Sequence, residues 1–495
     1  MHLSETAATA RASVKIERHS IDYIPESERH ATLAGQGPFW FLGNFHFFTI
    51  SIGFVGPSLG LTAFWTTLAG ALGIMFGTLF MAFHGAQGPQ MGLPQMIQSR
   101  AQFGYRGVVL ALAATLFVFA GFNVVNVSLI MDGLHKVFGL PRTLIAVVAI
   151  AAGACLAIFG HDLMHRAFRR ALWLTLPLYA LVTGALMLGV TGNAPSPLPG
   201  LGFSASAFAA QFAIAASYNI AYAPYVSDYS RYLPRRTNPR RLILAIFLGA
   251  SLSGSWMIGL GAWLAQTLRA TDALAALHQI GNALMPGFGS VLVVVSVAGF
   301  LPVIALNTYS AMLTLLTGVD SLRPIRPTRR ARVITIMLIS ITILIFATSV
   351  PGSGVALLNT FLVLLLYFLV PWTSVNLVDY FFVRKGRYAI PHFFTPHGLY
   401  GAWGARGIAA YLVGFAAMIP FFNIVDAASQ QPIFVGWAAQ RLDGVDLAWL
   451  VGLAVSGAVY AVLARSLDLA AEDHAIQNIQ GSDFAPAPRL EGDPS

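Results

Sequence analysis

Apolar runs of about 20 residues recur along this chain, separated by short segments rich in Arg, Gly and Pro. A run of that length reads as a helix crossing a bilayer, whose hydrocarbon core takes about 20 residues to span. The pattern predicts such helices near 39–61, 64–83, 108–131, 143–160, 171–191, 206–229, 242–267, 288–317, 332–350, 354–383, 407–425 and 447–465. The predicted fold class is an all-α polytopic membrane protein with about twelve transmembrane helices.

Two of these runs depart from plain hydrophobicity. The first, FWFLGNFHFFTISIGFVGPSLGL from Phe39 to Leu61, carries Asn44 and His46 close together, then Gly53, Gly56 and Pro57. The sixth, QFAIAASYNIAYAPYVSDYSRY from Gln211 to Tyr232, carries Asn219, Pro224 and Asp228 among aromatics. Polar groups at membrane depth are costly and face a cavity or a partner. Interrupted spans at corresponding places in two halves of a chain point to a transporter built from inverted repeats. Gly53, Gly56 and Pro57 lie beyond the polar pair and read as sites of close packing or bending. The eighth span adds Pro302, Asn307, Thr308 and Tyr309, and the third adds Phe122, Asn123 and Asn126.

Composition agrees with the pattern. The 495 residues are 56% hydrophobic and 10% charged, with mean hydropathy +0.69, against about 25% charged in soluble domains. The net charge of +9 sits in short clusters such as HDLMHRAFRR, RYLPRRTNPRR and DSLRPIRPTRRAR. Alternate loops are basic, so the positive-inside rule places them, and both termini, in the cytoplasm. Nucleic acid is not an expected partner. Residues 1–37 read as a cytoplasmic N-terminal segment without a signal-peptide pattern, 38–467 as the transmembrane domain, and 468–495 as a disordered cytoplasmic tail. Cys155 alone excludes an intrachain disulfide. His161 and His165 are the pair with helical ligand spacing; no second such box appears, and no metal or cofactor is expected. Arg100 and Arg106, in the polar connection Gly85–Gly107, are expected to meet lipid headgroups or a gate. Asp379, near Arg384 and Lys385, reads as a structural ion pair.

The segments SIDYIPESERH, WFLGN, GLPQMIQSRAQFGYRG, GFNVVN, APYVSDYSRYLP, LNTYSAML and VPWTSVNLVDYFFVRKGRY, in this order, resemble the nucleobase–cation symporter-1 family. The likeness is nearest to its purine–cytosine permease branch. It implies two inverted five-helix repeats, with spans one and six broken, plus two extra helices. It also implies a secondary transporter of the inner (plasma) membrane that imports a nucleobase with a cation by alternating access. Substrate in such proteins sits between spans one, three, six and eight. By position the resemblance implies substrate contacts from Asn44, His46, Phe122, Asn126, Ser217, Tyr218, Tyr222 and Asn307. Ser217 and Tyr218 match the break of the sixth span, and either Tyr218 or Tyr222 is left as the stacking ring.

A nucleobase is a flat ring edged with donors and acceptors. Aromatic faces and amide edges suit it, because an amide offers both kinds of hydrogen bond. The competing reading of each intramembrane Asn is a tie between helices. Sodium-coupled relatives use span-eight hydroxyls before the Asn, whereas here that stretch is AGFLPVIAL, so a proton is the expected coupling ion and sodium the alternative. His46, whose ordinary pKa is near 6.5, and Asp228 are the candidates for proton coupling or gating. An allantoin-, hydantoin- or uracil-type substrate, or another small-solute sodium symporter of the same fold, stays open, as does the oligomeric state.

Overall fold

The computed structural model describes residues 21–190, 198–325, 328–349, 354–425 and 431–479. The first apolar run folds as two pieces, Leu33–Asn44 and Phe47–Ile52, the latter continued by a turn of helix at Val55–Ser58. The halves meet at a bend of 51°. The sixth is also two pieces, Ala205–Ile220 and Val226–Ser230, with residues 221–225 in turns between them. Pro224 lies inside that interruption, where its missing N–H cannot continue a helix.

The other predicted runs form Ala63–Gly85, Val109–Phe138, Arg142–Phe159, His161–Met187, Pro239–Leu268, Phe288–Leu322, Arg329–Ser349, Gly354–Val378, Ala405–Met418 and Ala448–Ala464. Among the described residues, eight helices are long and apolar enough to cross a membrane, or up to ten if each bent pair is one span. Lipid-facing stripes are visible on their outer surfaces. Leu68, Leu72, Met75 and Leu79 are exposed at helical spacing on the second span, as are Ile334, Leu338, Ile341 and Ile345 on the ninth. The eleventh run stops short of its expected end, because Asn423–Val425 turns into a small hairpin with Pro432–Val435.

Gly53 and Gly261 let the outer half of the first span lie directly on the seventh. A Cβ on Gly261 would stand 1.9 Å from the carbonyl oxygen of Ile50, and one on Gly53 would stand 2.2 Å from that of Ile258. Both obstacles are backbone and cannot rotate away. Gly261→Val is therefore expected to destabilise the fold by about 1–3 kcal/mol or more, read as a lower melting temperature of the detergent-purified protein. An unchanged melting temperature would contradict this packing.

At the end of the bundle bearing the basic loops, the connection at 85–107 is packed inside the protein instead of lying on a lipid surface. Arg100 is buried, donates to Asp320 Oδ2 at 2.8 Å and to Ser321 Oγ at 2.9 Å, and lies over the Tyr105 ring. Arg106 is exposed. Asp379, fully buried where the tenth span ends in a single π turn, accepts from Tyr460 Oη at 2.7 Å, Tyr388 Oη at 2.9 Å and Gln102, and pairs with Arg384.

The same guanidinium corrects the expectation of a structureless tail from residue 468. Leu469–Asn478 is a helix capped by the Asp468 carboxylate. Its Glu472 is only 7% exposed and takes hydrogen bonds from Arg384 Nε at 2.9 Å and Tyr400 Oη at 2.6 Å. This short segment gains its order from the buried charge pairing together with Ile476, buried one turn further on. Residues 480–495, and 1–20 of the N-terminal segment, lie outside the described residues. From residue 21 that segment packs against the bundle, with Ile21, Tyr23 and Ile24 buried and Arg29 donating to the carbonyl of Pro89. The side chain of His161 is also outside the described set, whereas His165 stacks on Phe39 at 4.1 Å.

Candidate functional site

Both breaks open onto one small cavity, with walls of His46, Phe48, Phe122, Asn126, Tyr218, Tyr222, Tyr225, Val303 and Asn307. These residues come from spans one, three, six and eight. The walls stand close together, so a flat ring can enter only as they separate.

The break in the first span begins after Asn44, at Phe45. His46 is in extended conformation, φ −159° and ψ 168°, before helix resumes at Phe47. Helix ends leave carbonyls without intrahelical partners, and the Gly43 carbonyl becomes a local hub. It accepts from Tyr222 Oη at 2.6 Å and from His46 Nε2 at 2.8 Å. A carbonyl can only accept, so Nε2 carries the imidazole proton and Nδ1 is the lone-pair nitrogen. Buried Nδ1 has no hydrogen-bond partner among the described residues. Hydroxyls of Thr49, Tyr218 and Tyr222 form a chain with 3.1 Å between successive oxygens.

The aromatic walls are organised around Tyr218. Phe48 stacks on it at 5.3 Å and 28°, and Phe122 meets it edge-on at 6.1 Å. Such offset and edge contacts are the favourable ring arrangements. Facing them are the amides. Asn123, itself fully buried behind the wall, receives Asn126 Nδ2 and Asn307 Nδ2 on its Oδ1, each at 3.2 Å.

Of the residues expected at the site, His46, Phe122, Asn126, Tyr218, Tyr222 and Asn307 meet at the cavity. Asn44 and Ser217 do not. Asn44 Nδ2 donates to Asn219 Oδ1 at 3.0 Å and to the Ala250 carbonyl at 2.9 Å, while Asn219 donates to Thr78 Oγ1 at 2.6 Å. These bonds tie spans one, two, six and seven, the ordinary use of an intramembrane amide. Ser217 hydrogen-bonds the carbonyl of Leu362, tying the sixth span to the tenth. The sixth-span break also lies later than expected. Ser217 and Tyr218 sit in the last helical turn, and the interruption occupies 221–225.

Asp228 lies in the second piece of the sixth span and is not a wall of the cavity. Its Oδ1 caps the short helix Gln95–Gln98 by accepting from the Gln95 N–H at 3.0 Å, and its Oδ2 accepts from Ser310 Oγ at 3.1 Å. Phe48, Tyr225, Val303 and the supporting Asn123 were not among the expected contacts. Asn123 stood in the GFNVVN motif; for the other three, only side-chain direction separates them from ordinary packing residues.

The chain is similar to known proteins along most of its length. The family described as "Permease for cytosine/purines, uracil, thiamine, allantoin" matches residues 23–452. YxlA of Bacillus subtilis (strain 168), whose name assigns it as a purine-cytosine permease, is 33% identical over 452 residues, 91% of this chain and 96% of that protein. The purine-cytosine permease FCY2 of Saccharomyces cerevisiae is 23% identical over 284 residues, 54% of this chain and 50% of the yeast protein. Among solved structures, Mhp1, a nucleobase-cation-symport-1 family transporter in a closed conformation with bromovinylhydantoin bound, superposes with a TM-score of 0.70 at 17% identity, covering 92% of this chain and 98% of Mhp1. The fold is thus that of the broken-helix transporters, with the interruptions in spans one and six. The chain belongs to the nucleobase–cation symporter family of membrane permeases, and it is a transporter, not an enzyme.

Proposed function

We propose that this transporter imports a purine- or cytosine-type nucleobase across the plasma membrane by proton symport and alternating access, with both termini in the cytoplasm. The observation that carries the reading is the cavity itself, where an aromatic wall of Phe48, Phe122 and Tyr218 faces the amides of Asn126 and Asn307. Base stacking on such rings contributes about 1–3 kcal/mol, and the amides supply the edge contacts. The name of the Bacillus relative favours the same class of substrate. An allantoin- or hydantoin-type ring is the competing reading, favoured by the ligand named for Mhp1.

The choice of proton over sodium rests on the eighth span, which offers no uncommitted hydroxyl in the stretch leading to Asn307. The stretch Ala298–Leu306 has no hydroxyl. Ser296, two residues before it, accepts from Tyr179 Oη at 2.8 Å, and Thr308 is engaged with Asn123 and the Ile304 carbonyl. A hard cation takes about six oxygens.

Uptake of a radiolabelled base into cells lacking their own permeases tests the reading. Accumulation is expected to be blocked by unlabelled cytosine or adenine and unaffected by allantoin, to collapse with a protonophore, and to persist when sodium is replaced. Loss of uptake only on sodium removal would refute proton coupling. Displacement by allantoin but not by any base would refute the substrate class.

A further inference from the structure

The hydrogen bonds around the cavity have a direction that two backbone carbonyls impose. Asn123 Nδ2 donates to the Ile304 carbonyl at 3.0 Å and to Thr308 Oγ1 at 2.9 Å. A carbonyl has no proton to give, so the amide nitrogen of Asn123 must lie on that side and its oxygen on the other. That oxygen is the acceptor shared by Asn126 Nδ2 and Asn307 Nδ2. Asn307 is thereby held by its nitrogen, and its Oδ1 is buried with no partner among the described residues. On the first span the Gly43 carbonyl fixes His46 by Nε2 in the same way and leaves Nδ1 unpaired. Both unpaired atoms belong to cavity walls, and both are acceptors. A buried acceptor left unpaired is costly, and a ligand donor relieves that cost.

We infer that Asn123, which does not touch the cavity, is the positioning residue that turns this site into a receptor for a donating ring edge, so that amino-bearing bases are selected over their oxo counterparts. Cytosine presents an exocyclic NH₂ where uracil presents a carbonyl, and adenine presents one where hypoxanthine does. An oxo group set against Asn307 Oδ1 or His46 Nδ1 would pair acceptor with acceptor. The inference rests on the nucleobase reading above and narrows it to one polarity of ring.

Competition against labelled substrate in cells expressing the intact protein tests it. In the unaltered transporter, cytosine is expected to compete better than uracil, and adenine better than hypoxanthine, each by about tenfold or more. Asn123→Leu keeps the volume and removes the shared acceptor, freeing both amides to rotate. The cytosine-to-uracil ratio is then expected to fall towards one, whereas a merely structural role would lower the amount of transporter and leave the ratio unchanged. Thr308→Val, which removes one anchor of Asn123 and keeps the side chain, reads the same ratio if Asn123→Leu fails to reach the membrane. Equal or better competition by the oxo bases in the unaltered protein overturns the inference while sparing the nucleobase reading. An unchanged ratio in the variant overturns the role of Asn123. Failure of every base to compete refutes the nucleobase reading, and this inference with it.

Discussion

Asn307→Ala is expected to bring substrate uptake down to background while the variant still reaches the membrane in normal amount. The side chain meets the cavity from the eighth span, anchored by its nitrogen to Asn123 and presenting an unpaired oxygen. Alanine leaves the corresponding donor of the bound ring without a partner in a dry site, at a cost of about 1–3 kcal/mol, or roughly 5–150-fold in affinity. It also removes one of the two donors that Asn123 Oδ1 receives. Asn44→Ala is the informative contrast. Its bonds run to Asn219 and the Ala250 carbonyl, so it is expected to lower the amount of folded protein while the transporter that remains keeps its affinity. Radiolabel uptake normalised to surface protein measures both. Wild-type uptake by Asn307→Ala would sink the site assignment.

Arg384→Met is expected to be the most destabilising single change at the basic end of the molecule. Arg384 stands between the carboxylates of Asp379 and Glu472, all three buried, with Tyr388 and Tyr460 completing the shell of Asp379. Removing the cation leaves two buried negative charges facing each other, and breaking a buried pair in this way costs about 3–5 kcal/mol. The detergent-purified variant should melt well below the parent and lose the protection of its tail helix from protease. Because the damage comes from uncompensated charge, the triple variant Arg384→Met, Asp379→Asn, Glu472→Gln should recover much of the stability. A triple variant no better than the single one would show that packing, and not charge, is what Arg384 supplies.

The polar residues inside the apolar runs were legible because the bilayer makes them conspicuous. His46, Asn126 and Asn307 could be singled out as costly groups, and the cavity collects all three. Asn44 was equally conspicuous, yet it faces the seventh span. Sequence alone says that an intramembrane amide must find a partner; which partner depends on the rotation of each helix about its axis. The break in the sixth span shows the complementary limit. Pro224 marked it, but homology of position drew it towards Ser217, and the chain stays helical through Ile220.

What the amino-acid order determined by itself was the number and order of apolar runs, the interruption of the first and sixth, and the clustering of positive charge in alternate loops. Each follows from a local rule, the hydropathy of a window about 20 residues long, the cost of polar groups at membrane depth in the first span, the missing N–H of proline in the sixth, or the count of Arg and Lys between spans. The tertiary structure alone decided which polar groups face the cavity, how the Asn123 amide turns its neighbours, and that Glu472 orders a helix past the last span. Apart from the Asn126–Asn123 bond within one helix, those outcomes are set by contacts between residues 88 to 206 positions apart, where no local periodicity reaches and only the packed arrangement of helices gives each donor its acceptor.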